Sequence, residues 1–119
     1  MCIYDAEEIN IKKGEGYVCL IPNDDGRLQS IYGQDAYHKS KWYKAKDMSL
    51  VPDNHRSSIY YTPGFHICLT LEGARYYQSE TAEVSSIFKV KYKYAYLKGN
   101  TLGVQTIVAK ERMIVECIE

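Results

Sequence analysis

Between residues 87 and 97 apolar and polar side chains alternate. Phe88, Val90, Tyr92, Tyr94 and Tyr96 share one face of an extended chain, and Lys89, Lys91, Lys93 and Ala95 share the other. The stretch is long for one strand, so the pattern predicts a strand that bends or serves two pairings. Lys98-Gly99-Asn100 supplies the residues to close it. Two more strands are expected over 104–110 and 112–118, separated by a break near Lys110 and Glu111.

Upstream, the strongest hairpin signal joins the apolar run at 17–21 to the alternating run at 27–32 through Pro22, Asn23, Asp24, Asp25 and Gly26. Residues 1–16 are polar, and Gly14 and Gly16 suggest a short leading strand followed by a turn. A third strand is expected within 36–45, and residues 48–62 read as a connector. Pro63 and Gly64 turn the chain into a short buried strand at 65–70. Thr70 is then placed to cap a short helix holding Leu71, Ala74, Arg75 and Tyr77. Gly73 weakens that helix by about 1 kcal/mol relative to Ala, so packing must hold it. One helix among many strands excludes a parallel α/β fold. The expected class is α+β: a mainly antiparallel sheet with one short helix packed on it, spanning 1–119 as a single domain.

Composition sharpens this in three ways. Fifteen Lys and Arg balance fifteen Asp and Glu, which argues against DNA or RNA as partner but leaves room for a small anion held by a few cations. Tyrosine is abundant, at 12 of 119 residues. That suits half-buried strands and binding surfaces alike, and a low-GC codon bias would give the same excess. Cys2, Cys19, Cys68 and Cys117 form no C-x-x-C pair and no zinc spacing with His38, His55 or His66. Reduced, mostly buried thiols in a cytoplasmic protein are expected, with no metal, no cofactor, no secretory signal and no membrane span.

Catalytic constellations are weak. His66 and Cys68 point the same way on a strand and would in principle make a thiolate nucleophile, but FHICL reads as an apolar core strand. The carboxylates Glu7, Glu8, Asp24 and Asp25 sit in turn or surface contexts. The glycines at 13–17 and 98–103 match no phosphate-loop fingerprint, although 98–103 leaves room for a backbone anion nest. The chain is expected not to be an enzyme. Arginine is the scarcer cation, with four against eleven lysines, and its planar fork suits phosphate better. Arg27, Arg56 and Arg112 each fall at an element end, where binding groups are commonly presented. The lysine stripe reads as a solvent face, and a ring of the aromatic stripe would serve for purine stacking.

The opening MCIY, the arm GRLQSIY, the segment SKWYKA at 40–45, the run GFHICLTLEGARYY at 64–77 and the closing IVAKERMIV together resemble small proteins encoded by bacteriophages and prophages. Within that group the chain is similar to the anti-Thoeris proteins, which sequester cyclic ADP-ribose signals without cleaving them. The resemblance implies a homo-oligomer in the bacterial host cytoplasm with nucleotide pockets near subunit contacts. It assigns Phe88 to stacking on adenine, Asn100 to ribose or base, and Arg112 to phosphate. The late region holds one arginine, so a second phosphate contact falls to Lys110, Arg56 or a neighbouring chain.

The leading expectation is therefore a phage counter-defence protein that binds and sequesters a small nucleotide immune signal, with Phe88, Asn100, Arg112, Arg56 and Arg27 as ligand-binding residues. A protein–protein inhibitor of a host defence enzyme, of the anti-CRISPR kind, is the alternative, anchored by the tyrosine-rich face. An ADP-ribosyltransferase-like enzyme ranks last, because no catalytic glutamate stands in context.

Overall fold

The computed structural model describes residues 4–31, 35–45, 51–52, 60–61, 64–81 and 84–119. In chain order these form β1 (Tyr4–Pro22), β2 (Leu28–Ser30), β3 (Ala36–Tyr37), β4 (Trp42–Lys44), β5 (Val51–Pro52), β6 (Tyr60–Tyr61), β7 (Phe65–Cys68), α1 (Leu71–Glu80), β8 (Ser86–Thr101) and β9 (Val104–Cys117). The pairing is antiparallel throughout, and one short helix packs on the sheet, so the fold is α+β. The β1–β2 hairpin forms as its turn residues dictate, with Leu20 opposite Ser30 and Gly26 at φ 86°.

Hydrogen bonding runs along the path β3-β2-β1-β7-β9-β4, and β8 pairs with both β1 and β9. Strands β1, β8, β9 and β7 therefore form a ring, a small barrel whose weakest seam is the single pairing of Tyr17 with Cys68. The ends of the path also meet, since the rings of Tyr37 on β3 and Tyr43 on β4 lie 4.9 Å apart, edge to face. Val18, Leu20, Ile67, Phe88, Val90, Ile107 and Ile114 belong to the buried core cluster inside.

Gly14 and Gly16 make no turn. Both lie inside β1, where their missing side chains admit neighbours. A Cβ at Gly14 would strike the Tyr92 ring, and one at Gly16 would strike the Ile67 side chain and stand 2.7 Å from the Cys68 carbonyl oxygen. Gly16 thus lets β7 approach β1 and close the ring.

The long alternation at 87–97 also departs from a single face. Phe88, Val90 and Tyr92 are buried, but so are Ala95 and Leu97, whereas Tyr94 is 52% exposed. Register explains the switch. Ala95 pairs with Ala109 and Leu97 with Val108, so Tyr96 is an extra residue on β8. The β1 partner shifts at the same level, between Glu8 and Ile11. Such bulges bend a strand and re-aim its side chains. The expected break near Lys110 is likewise a change of face within one continuous β9: Ile107 and Ala109 face the core before it, and Arg112 and Ile114 are buried after it. Lys98, Gly99 and Asn100 do not end β8. Leu102 and Gly103, at φ 52° and 81°, make a two-residue type I′ turn between Thr101 and Val104.

Thr70 caps α1 as expected, accepting from the Gly73 amide at 3.0 Å. Ten residues are too few for a stable isolated helix. Ala74 and Tyr77 fix it over Cys19, Cys68, Ile87 and Val104, and Gly73 lies where a Cβ would stand 2.8 Å from a Val104 methyl.

Two substitutions probe this architecture. Gly16→Ala is expected to cost about 1–3 kcal/mol by forcing the β1–β7 seam apart, read from urea unfolding. Leu102→Asn should stabilise by about 1 kcal/mol, because Asn tolerates the left-handed conformation that Leu resists. An unchanged unfolding midpoint in either variant contradicts the corresponding assignment.

Candidate functional site

Arg112 is one of the few charged or polar residues in the interior, 5% exposed on β9. Its cross-strand neighbours are Tyr92 on β8 and Tyr43 on β4. Two more rings cover its guanidinium: Cζ lies 4.4 Å from the Phe65 ring centre and 4.8 Å from that of Tyr37. Those rings meet edge to face at 5.9 Å. The cage thus draws on β3, β4, β7, β8 and β9, brought together by the curling of the sheet.

A guanidinium carries five N–H donors. Here Nε and Nη2 are buried and have no hydrogen-bond partner among the described residues. Burial pushes the pKa down to about 10, so the group remains a cation at neutral pH. Ring faces attract it but accept no strong hydrogen bond. A buried charge without a counter-ion is costly. A planar fork of this kind has the geometry that pairs with an oxyanion.

Arg27 adjoins β2, where Leu28 pairs with Tyr37 on β3. It is exposed, and its Nη2 lies 2.7 Å from Asp25 Oδ2 while its amide donates to Asp25 Oδ1 at 3.0 Å. That pairing holds the Asp25 carboxyl below its usual range. The Tyr43 hydroxyl accepts from the His38 amide at 2.9 Å, tying β4 to the end of β3. Of the expected site residues, Arg112 is held in the aromatic cage, while Arg27 lies at the β2 end and pairs with Asp25.

The other expected residues lie elsewhere. Phe88 does not offer a ring for adenine: it is 3% exposed, packed in the core opposite Val18 and Cys117. Asn100 sits half-buried at the opposite end of β8, paired with Tyr4 and Gln105. Arg56 lies outside the described residues. Lys89, Lys91 and Lys93 face outward, Lys89 3.5 Å from Glu15 and Lys93 4.3 Å from the Trp42 ring centre. Reading the sequence singled out Arg112 but missed Tyr37, Tyr43 and Phe65. The aromatic residues clustered at 36–45 are the local signal that could have found two of them.

The His66 and Cys68 pair is unsuited to nucleophilic chemistry. Burial pushes the Cys68 thiol up to about 12 and the His66 imidazole down to about 4, so neither thiolate nor imidazolium forms at neutral pH. Cys19, also buried, donates to the Ala74 carbonyl at 3.4 Å, and Cys117 is exposed. Among the described residues no cluster of His, Cys, Asp and Glu is arranged to hold a metal ion, and no helix is long and apolar enough to cross a membrane.

Comparison with protein-family models, with curated proteins and with solved structures finds no match to this chain.

His66 gives a pH prediction. Its folded pKa of about 4 lies below the unfolded value near 6.5, so the unfolded chain binds the extra proton between these limits. Stability present above pH 6.5 should decline by about 2–3 kcal/mol as pH falls to 4. His66→Gln should flatten that slope in urea titrations at several pH values.

Proposed function

We propose that the protein is a non-enzymatic binder of a small anionic ligand, seated by Arg112 with Arg27 at the rim. The carrying observation is the buried guanidinium whose Nε and Nη2 have no partner among the described residues. The resemblance to anti-Thoeris proteins names the ligand class as a nucleotide of the cyclic ADP-ribose type. The role is then that of a phage counter-defence protein that sequesters the signal and returns it unaltered.

Access follows from the shortest elements. Strands β3 and β4 hold two and three residues, and local opening is easiest where few ladder bonds must break. Parting Tyr37 from Tyr43 would expose the Arg112 fork to a phosphate, which would replace the missing acceptors. A charge-assisted hydrogen bond of this kind contributes roughly 1.5–3 kcal/mol net. Asn100 and Phe88 take no part in this reading.

The test is thermal unfolding against cyclic ADP-ribose isomers, cyclic di- and trinucleotides and inorganic phosphate. A tight ligand should stabilise by roughly 4 kcal/mol at a thousand-fold excess over Kd, and chromatography after denaturation should recover it intact. Arg112→Met fills the same cage without charge. It should fold with stability equal to or above the parent in anion-free buffer and lose the ligand-dependent shift. Conversion of the ligand would make the protein an enzyme. A flat response across the panel would favour a protein partner instead.

A further inference from the structure

The coincident bulges leave a feature on the outer surface that is separate from the Arg112 cage. Where β1 and β8 both shift register, a groove of about 540 Å³ opens, lined by Asn10, Lys44, Tyr94, Tyr96, Lys110 and Glu111, among others. Its volume falls in the range of small-molecule sites. Cross-strand partners alternate faces along β9, so Glu111 and Lys44, paired across β9 and β4, lie on the side opposite Arg112.

Tyr94 is held at φ 58°. For a bulky side chain this is a strained conformation, set beside the β-bulge between Ala95 and Leu97. The strain has one visible result: a ring 52% exposed at the groove rather than packed in the barrel. Beside it the Lys110 ammonium stands 5.9 Å from the centre of the Tyr96 ring. Lys44 and Glu111 are register partners across β4 and β9, and with Lys110 the lining carries a formal surplus of one positive charge. Asn10 adds an exposed amide. Aromatic faces, one surplus cation and an amide are what a flat ring with a single negative group requires.

We infer that this groove is a second ligand site, for a planar aromatic ring carrying one carboxylate or phosphate, with Tyr94 as the stacking platform and Lys110 as the charge contact. It does not depend on the function proposed for Arg112.

The test uses adenosine monophosphate as probe, followed by NMR and calorimetry on the full chain, with adenosine and inorganic phosphate as controls lacking the charge or the ring. The monophosphate should bind and perturb Tyr94, and each control should bind about ten-fold more weakly or less. Tyr94→Gly relieves the backbone, so its melting temperature should be unchanged or raised while affinity falls about ten-fold. Lys110→Gln should lower affinity without unfolding the protein, and Arg112→Met should leave it unaltered. Absence of binding overturns the assignment. So does binding insensitive to Tyr94→Gly and Lys110→Gln, or binding lost only in Arg112→Met, which would place the probe in the barrel.

Discussion

The fold depends on one geometric constraint: a sheet built from three long strands must bend sharply enough for β7 to bridge the outer edges of β1 and β9. Bending a ladder without breaking it requires extra residues on one side, and the paired register shifts of β1 and β8 supply them. Closure then requires backbone to approach side chain and carbonyl at Gly14 and Gly16. The core inside, the helix bed outside and the meeting of Tyr37 with Tyr43 all follow from that bend.

Much of this was legible in the residues. Apolar alternation located β8, Pro-Asn-Asp-Asp-Gly located the first hairpin, and Thr70 marked the helix start, because each signal is local and has one physical cause. What escaped was non-local. A glycine that admits a distant side chain is written like a glycine that turns the chain, so Gly14 and Gly16 misled. A bulge leaves no mark in a period-two pattern, so Tyr94 and Tyr96 read as continuing the face of Phe88. The Arg112 cage draws its rings from segments far apart in the chain, and no spacing rule connects Tyr37 to Phe65.

The two charged features of the molecule show opposite solutions to one problem. On the outer face lysines remain hydrated or rest on rings, as Lys93 does on Trp42, and little is at stake. Inside, Arg112 has exchanged water for the rings of Tyr37 and Phe65, whose quadrupoles attract its charge.

The barrel's wiring also bears on how the chain acquires its shape. The β8–β9 hairpin joins neighbours through a two-residue turn, but β1 finds its partner β8 only after most of the sequence has been made. Pairings so distant in sequence are slow to form because loop entropy is lost before contacts compensate. Among these strands β1, nineteen residues long, therefore precedes all its partners, and outside its hairpin with β2 at Leu20–Pro22 its edges stay open until β7 and β8 follow. Its polar opening stretch, with Glu7, Glu8, Lys12 and Lys13, keeps those edges charged while they wait. The hydrophilic character of that segment thus protects the nascent chain from self-association.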